Sequence, residues 1–309
     1  MTLRELVEHC ARQLQTAQVA FGHGTDNALD EAAWLVLWQL GLPLNTSLDK
    51  PFNTPCYTPL DGPHGPATLT PAQQSACEAL IAQRIATRKP AAYLTRQAWL
   101  QGYAFYVDER VIVPRSLIAE LLVDGGIDYF LHEGTHQVLD LCTGNGSLAI
   151  IAAHVFPDTV VCASDLSQDA LDVAAMNVAQ HGLQSRITLL PSDGLDAPAL
   201  QALGPFDLLL CNPPYVNADS MAALPPEFRA EPALALDGNA DGGRDGMDFV
   251  RRLLRDAPQH LNPQGVLVLE IGHERAFFEA AFPALAAVWL PTSAGEDQVL
   301  LLTRESLLA

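Results

Sequence analysis

The sequence predicts an α/β protein in which a mostly parallel, doubly wound sheet follows a helical N-terminal domain. After His136, apolar runs of strand length alternate with helix-length stretches, a pattern typical of parallel sheets. Before Arg96, apolar residues instead recur at the spacing of amphipathic helices. The 309 residues, 49% of them hydrophobic, suffice for roughly two domains with sizeable cores.

The helical domain is expected to span residues 1–96. Helical spacing of apolar residues predicts one helix around Leu3 to Leu14 and another around Ala33 to Trp38. Thr70-Pro71 supplies an N-cap and a first-turn proline for a third helix that ends before Pro90. The proline-rich stretch 43–70 is predicted to be a long surface loop.

A β-hairpin is predicted to link the domains across residues 97–116. Aromatic and β-branched residues run from Ala98 to Val113, and Gly102 interrupts them. Pro114-Arg115-Ser116 closes the hairpin, and a helix begins at Leu117.

The C-terminal domain, residues 117–309, is expected to hold seven strands. Helices are predicted between most of them, over 147–156, 168–181 and 248–261. The last two apolar runs flank a turn and predict an antiparallel hairpin at the sheet edge. The predicted strands are Val138 to Leu141, Val160 to Ala163, Ile187 to Leu190, Phe206 to Cys211, Val266 to Ile271, Ala286 to Leu290 and Gln298 to Thr303.

The composition favours an acidic, soluble protein. Lys and Arg number 17 against 36 Asp and Glu, a formal charge of −19, which repels nucleic acid and attracts a basic protein partner. The six cysteines are far apart and form no C-x-x-C pair, so reduced thiols are expected rather than disulfides or a zinc site. No signal-peptide core or membrane-length apolar run is present, and a cytoplasmic protein is expected.

A glycine loop follows the first strand, where α/β sheets bind nucleotides. Small residues there allow the backbone to approach a ligand closely. Ala149 stands at the third glycine of the dinucleotide pattern, an accepted variant, so the loop alone leaves NAD open. The loop residues expected to contact a cofactor are Asp140, Cys142, Thr143, Gly144, Asn145 and Gly146.

Acidic residues after the next strands favour one cofactor, S-adenosylmethionine. Asp165, followed by Leu166, is placed to accept hydrogen bonds from both hydroxyls of a ribose. Asp140 suits a cationic amino group better than a pyrophosphate, and Asp193, followed by Gly194, could bind the adenine amino group. S-adenosylmethionine has a ribose, an ammonium and a sulfonium but no phosphate. The alternative is that Asp140 caps a loop and Asp193 a turn.

A rigid corner, Asn212-Pro213-Pro214-Tyr215, ends the fourth strand, because two prolines cannot extend a sheet. The Asn212 side-chain oxygen and the Pro213 carbonyl could each accept an N–H of a planar amine, with Tyr215 as a wall of the pocket. These four residues are the predicted catalytic set. Asn212, Pro213, Tyr215 and Arg115 are expected to bind substrate, and Asn212 also to contact the cofactor. A strand terminator with a buried Asn cap is the alternative.

The D-x-C-x-G-x-G loop, the acid after the second strand and the NPPY corner resemble the class I S-adenosylmethionine methyltransferases of Rossmann-like fold. NPPY restricts that resemblance to enzymes that methylate an adenine or cytosine amine or a glutamine amide. Segments of the N-terminal half resemble the ribosomal-protein glutamine methyltransferases, within the protein N(5)-glutamine methyltransferase family. They are Phe21-Gly22-His23-Gly24-Thr25-Asp26-Asn27, Asp30-Glu31-Ala32, Ala92-Tyr93-Leu94-Thr95, Phe105 to Val111 and Val113-Pro114-Arg115-Ser116.

This resemblance covers nearly the whole chain and implies methylation of a glutamine side-chain amide on the third protein of the large (50S) ribosomal subunit. Release-factor glutamine methyltransferases typically have P-R-P-D-T-E where this chain has Pro114-Arg115-Ser116-Leu117-Ile118-Ala119-Glu120. The chain departs from the family pattern at Leu117, Asn145 and Gly194. The alternatives are glutamine methylation of release factors, amino-group methylation of nucleic acid, and a catalytically silent ribosome assembly factor.

Two segments match the residue patterns of metal sites, yet no metal is expected. His132-Glu133-Gly134-Thr135-His136 fits H-E-x-x-H, but a glycine within the motif disfavours the helix that zinc binding requires. The acidic, glycine-rich loop 237–248 resembles an EF-hand, but Arg244 stands at the usually apolar eighth position and the last ligand is Asp.

Overall fold

The computed structural model describes residues 1–48 and 68–309. The chain divides into two compact units. The first contains Met1–Arg96 and Pro225–Ala230, and the second contains Gln97–Leu224 and Glu231–Ala309. Most of the predicted proline-rich loop, with Cys56, lies outside the described residues. In the two described ranges no helix is long and apolar enough to span a membrane, and the five cysteines there are free thiols.

The described part of the first unit contains four α-helices, which include the three predicted ones. Thr2 caps the first helix in a capping box with Glu5, Asn27 caps the second, and Thr70 caps the third with proline in its first turn. The second helix begins earlier than predicted because the Asn27 side chain accepts two of its first backbone N–H groups. The helices are α1 (Leu3–Thr16), α2 (Ala28–Gln39), α3 (Pro71–Thr87) and α4 (Ala91–Thr95).

A buried ionic network connects the segment Pro225–Ala230 to the helices of this unit. Arg84 of α3 is fully buried, and its Nε lies 2.9 Å from Glu31 Oε1. Its Nη1 lies 3.6 Å from Glu227 Oε1, and Arg88 Nη1 lies 3.0 Å from the same oxygen. Glu227 is therefore held by two guanidinium groups of the helical unit.

The second unit begins with a short hairpin, β1 (Ala98–Leu100) and β2 (Tyr103–Phe105). The predicted hairpin extended to Val113 and was wrong beyond Phe105. There Asp108 turns the chain by accepting hydrogen bonds from the Arg110 backbone and guanidinium and from the Tyr106 hydroxyl.

The main sheet has seven strands in the order β5-β4-β3-β6-β7-β9-β8, which confirms the predicted seven-stranded, mostly parallel sheet. Strands β5, β4, β3, β6 and β7 run parallel, and β9 pairs antiparallel with β7 and β8. The predicted terminal hairpin is therefore confirmed at the sheet edge. The strands are β3 (Gln137–Leu141), β4 (Val160–Asp165), β5 (Ile187–Pro191), β6 (Phe206–Cys211), β7 (Leu261–Glu270), β8 (Val288–Thr292) and β9 (Gly295–Thr303).

Helices cover both faces of this sheet. Successive residues of β6 and β7 enter opposite cores: Leu208 and Leu210 pack in one, Leu209 and Cys211 in the other. Strands buried on both faces explain the continuous apolar runs of the sequence. The helices are α5 (Ile118–Val123), α6 (Ser147–Val155), α7 (Gln168–Gln180), α8 (Pro198–Leu203), α9 (Ala218–Ala223), α10 (Asp248–His260), α11 (Arg275–Ala281) and α12 (Arg304–Leu308).

Candidate active site

A cleft lies at the carboxyl ends of the parallel strands β5, β4, β3 and β6, within the second unit. Its empty volume is about 1200 Å³, part of it open to solvent. Ligands of open parallel sheets bind at this edge because loops from neighbouring strands diverge there. The predicted site residues that line it are Arg115, Cys142, Thr143, Gly144, Asn145, Asp165, Leu166, Asp193, Gly194, Asn212 and Pro214.

The glycine loop between β3 and α6 has an unusual backbone. Cys142, Gly144 and Gly146 all have positive φ, at 60°, 54° and 82°. A Cβ at Gly144 would meet no atom within 4 Å, so glycine there serves the backbone conformation and leaves room for a ligand. A Cβ at Gly146 would lie 3.2 Å from Ala174 Cβ, so this glycine permits close packing of α6 on α7 and does not line the cleft.

Asp165 connects β4 to the glycine loop. Its Oδ2 accepts a hydrogen bond of 2.9 Å from Gly144 N, and its Oδ1 accepts one of 2.9 Å from Ser167 N. Burial raises the pKa of this carboxyl, while the backbone N–H groups lower it. Each oxygen keeps a second lone pair, so the carboxylate can still accept hydrogen bonds from the cleft.

Asp140 is fully buried beneath the loop and does not line the cleft, although the sequence placed it beside a cationic ligand group. Its Oδ2 accepts hydrogen bonds from the Thr143 hydroxyl and from Ala149 N. Its Oδ1 has no hydrogen-bond partner within residues 1–48 and 68–309. Burial raises the pKa of Asp140 to about 7. Asp140 therefore organises the loop from below.

The corner after β6 presents one amide side chain to the cleft. The side chains of Asn212 and Pro214 line the cleft, and Pro213 between them is buried. In the part of the chain that the structure describes, no hydrogen bond engages the Asn212 side chain. Its oxygen and nitrogen are thus available to a ligand.

Tyr215 is not among the residues that line the cleft, in contrast to the predicted wall of the substrate pocket. A Cβ at Gly272 would lie only 2.7 Å from its Cε2, so the ring packs directly over that glycine. Burial raises the pKa of the Tyr215 hydroxyl far above its ordinary value, and the charge of Glu270 raises it further. Tyr215 is a neutral packing residue that anchors the corner.

The acidic loop 237–248 supports the corner from outside. Val216 O accepts hydrogen bonds from Gly238 N at 3.1 Å and Asn239 Nδ2 at 3.0 Å. Gly246 packs so closely that a Cβ there would lie 2.1 Å from Tyr215 O. Three loop residues, Asp237, Gly238 and Ala240, line the cleft. The loop therefore fixes the corner and forms one wall of the site.

Asp248 and Asn239, two residues of this loop that resembled calcium ligands, accept hydrogen bonds from its own backbone. Asp248 Oδ2 accepts from Asp241 N at 3.0 Å and Gly243 N at 2.9 Å. Asn239 Oδ1 accepts from Gly246 N at 2.9 Å. These side chains thus have a role in shaping the loop.

Glu231 and Glu270 hold the cleft wall that contains Arg115 and Ser116, and sequence reasoning missed both. Glu231 accepts two hydrogen bonds from the Arg115 guanidinium and one of 2.9 Å from Val113 N. Glu270 Oε2 accepts from the Ser116 hydroxyl at 2.5 Å and from Leu117 N at 2.9 Å, and burial raises its pKa to about 7. The position of Glu270 at the carboxyl end of a predicted strand was a usable signal, whereas Glu231 had none.

The segment His132 to His136 is a turn and not the helix that the zinc motif needs. Gly134 N donates a 3.0 Å hydrogen bond to His132 Nδ1. Across residues 1–48 and 68–309, no group of three or more His, Cys, Asp or Glu side chains is arranged to hold a metal ion.

Comparison with known proteins gives full-length relatives. Residues 121–236 match the family model described as Methyltransferase small domain. A protein of Bordetella pertussis named ribosomal protein uL3 glutamine methyltransferase is 53% identical over 308 residues, covering 99% of this chain and 96% of that protein. A protein of the same name from Neisseria gonorrhoeae is 46% identical over 313 residues, covering 99% and 96%. A solved methyltransferase from Pyrococcus furiosus has a TM-score of 0.47 at 19% identity over 74% of this chain and 98% of that one, a likeness too weak to bear on function.

Proposed function

Because this chain belongs to the ribosomal protein uL3 glutamine methyltransferase family, we propose that it methylates the side-chain amide nitrogen of a glutamine in uL3, with S-adenosylmethionine as methyl donor. The observation that carries this proposal is the Asn212 amide, which faces the cleft with no hydrogen-bond partner among the described residues.

The cleft fits S-adenosylmethionine in its chemistry. Asp165 offers carboxylate oxygens to a ribose diol, and the open space at Gly144 admits a ligand against the loop backbone. The donor supplies an electrophilic methyl group on a sulfonium sulfur. Asp193 would accept a hydrogen bond from the adenine amino group, as the sequence predicts.

Asn212 and Pro213 are proposed to orient the glutamine amide. An amide nitrogen is a poor nucleophile because its lone pair is delocalised into the carbonyl. If Asn212 Oδ1 and the Pro213 carbonyl each accept one N–H, the lone pair is directed at the methyl group, and positive charge developing on nitrogen is stabilised. No base is needed beforehand, since the nitrogen loses a proton to water readily once it carries the methyl.

Rigidity at the corner supports this role. Two prolines fix the backbone, the loop 237–248 packs on Tyr215 O, and the partly buried Tyr215 ring packs over Gly272. Acceptors held in this way need little reorganisation during the reaction. The net charge of −19 in addition favours a basic substrate protein over nucleic acid.

The test is to incubate the purified protein with methyl-labelled S-adenosylmethionine and purified uL3, and to locate the label by peptide mass spectrometry. We expect one methyl group on a glutamine side chain of uL3. A peptide release factor and ribosomal RNA serve as competing substrates in parallel reactions. Label that enters either of these in preference to uL3, or no label at all, would contradict the proposal.

A further inference from the structure

We propose that Arg252 is a cofactor-specificity residue, whose guanidinium donates a hydrogen bond to an adenine ring nitrogen beside the amino group that Asp193 binds. The inference rests on the proposed function only in taking S-adenosylmethionine as the ligand of the cleft.

The strand order determines which end of the cleft receives adenine. Asp165 ends β4, Asn212 follows β6 on one side, and Asp193 follows β5 on the other. In S-adenosylmethionine the ribose stands between the sulfonium and the adenine. With the ribose at Asp165 and the methyl group at Asn212, the adenine extends toward Asp193.

Arg252, on α10, lines that end of the cleft. Its Nη1 lies 3.4 Å from Asp193 Oδ1, and its Nε lies 3.7 Å from Asp241 Oδ2. Both distances exceed that of a good hydrogen bond, so the contacts are ionic. Arg252 Nε is buried and does not reach the cleft, but the side chain is 33% exposed. Its guanidinium makes no hydrogen bond with a described residue, so the two carboxylates hold it in place by charge and leave its Nη donors open to a ligand.

The space beside Arg252 suits a flat ring. Gly194 has no side chain, and a Cβ built there would lie 3.7 Å from the Phe249 ring. The Arg252 guanidinium carbon lies 5.6 Å from the centre of the same ring. The Phe249 ring and the Arg252 guanidinium, both on α10, thus form the wall that Gly194 does not provide.

Asp193 and Arg252 together present a charged acceptor next to a charged donor. The adenine amino group is a donor, and the ring nitrogens on either side of it, N1 and N7, are acceptors. The acceptor and donor of the Asp193–Arg252 pair are therefore complementary to the amino group and the ring nitrogen of adenine. A base with an oxygen at that position would instead face the Asp193 carboxylate, so the pair selects adenine.

The test uses S-adenosylhomocysteine and its 1-deaza and 7-deaza analogues, each titrated calorimetrically into the wild-type protein and into Arg252→Gln. We expect one analogue to bind the wild type about tenfold more weakly than S-adenosylhomocysteine, the usual loss for a hydrogen bond to a charged group. Arg252→Gln should bind S-adenosylhomocysteine about tenfold more weakly as well. The affected analogue should then bind the variant no more weakly than S-adenosylhomocysteine does.

Arg255→Gln is the matched control, because Arg255 lies on the same helix, pairs with the adjacent Asp256 and does not line the cleft. Its affinities should equal those of the wild type. If a deaza analogue loses as much affinity, relative to S-adenosylhomocysteine, in Arg252→Gln as in the wild type, Arg252 has a structural role and the inference is overturned. Wild-type binding that neither analogue weakens would overturn it even if the variant failed to fold. Failure of uL3 methylation with intact S-adenosylhomocysteine binding would count against the proposed function alone.

Discussion

Arg115 and Glu231 form a two-point ion pair, with Nη1–Oε1 at 2.6 Å and Nη2–Oε2 at 2.7 Å. The Glu231 side chain is fully buried, whereas Arg115 remains 28% exposed at the cleft. A buried carboxylate is stable only when its oxygens accept hydrogen bonds. The guanidinium thus stabilises Glu231, and Glu231 in return fixes Arg115 in the cleft wall.

Replacing Arg115 by Met should therefore destabilise the protein by about 3 kcal/mol, since the buried Glu231 charge would lose the guanidinium that pairs with it. Chemical denaturation measures the change. The double variant Arg115→Met with Glu231→Met should recover most of the loss. If the double variant instead lost as much stability as the two single variants together, the pair would not act as a unit.

Removing the Asn212 side chain should slow turnover strongly, with little effect on cofactor affinity. Asn212→Ala lacks the oxygen proposed to orient the amide, and loss of one such polar contact typically lowers kcat by about 10²- to 10³-fold. Methyl transfer to uL3 gives the rate, and S-adenosylhomocysteine titration gives the affinity. A rate close to that of the wild type would rule out the role assigned to Asn212.

Gly246→Ala should impair catalysis through the corner. The new Cβ would lie 2.1 Å from Tyr215 O and must displace the backbone that follows Asn212. Gly242→Ala is the matched control, because that glycine shares the loop and a positive φ of 92° but has no atom within 4 Å of its Cβ position. Both variants bear a strain of about 1 kcal/mol, yet only Gly246→Ala should lower kcat. If Gly246→Ala and Gly242→Ala had equal kcat values, the loop would not support the corner.

The buried Glu270 should make stability depend on pH. Its pKa is raised from 4.5 to about 7 by burial, so the folded state retains a proton that the unfolded state has released. The stability that this proton contributes is complete below pH 4.5 and is lost as the pH rises through 7, about 3 kcal/mol in all.

Glu270→Gln mimics the protonated carboxyl and should remove this dependence. Its free energy of unfolding, relative to the wild type, should therefore increase from pH 4.5 to pH 7. Glu305→Gln, an exposed change on α12, is the surface control. A constant difference between Glu270→Gln and the wild type over this range would show that Glu270 does not titrate there.

The sheet and the centre of the site could be predicted because both depend on local patterns. Strands buried on both faces produce apolar runs, and parallel strands bring their carboxyl ends to one edge. Asp165 and Asn212, which come at the ends of such runs, were both expected to contact the cofactor, and both line the cleft.

The directions of individual side chains could not be predicted in this way. Glu231 lies 116 positions from Arg115, and no periodicity relates the two residues. Tyr215 packs on Gly272 because that glycine leaves space for its ring, and Asp140 lies beneath the loop because Thr143 and Ala149 donate to it. Each outcome depends on a tertiary contact that the local sequence does not encode.

The ionic network of the first unit has a consequence for the order in which this chain can fold during synthesis. Arg84 and Arg88 precede Arg96, but Glu227 leaves the ribosome more than a hundred residues later. A nascent chain that ends at Arg96 has both guanidinium groups and lacks one of the carboxylates they bind. The helical unit therefore becomes complete only after β3, β4, β5 and β6 have been translated.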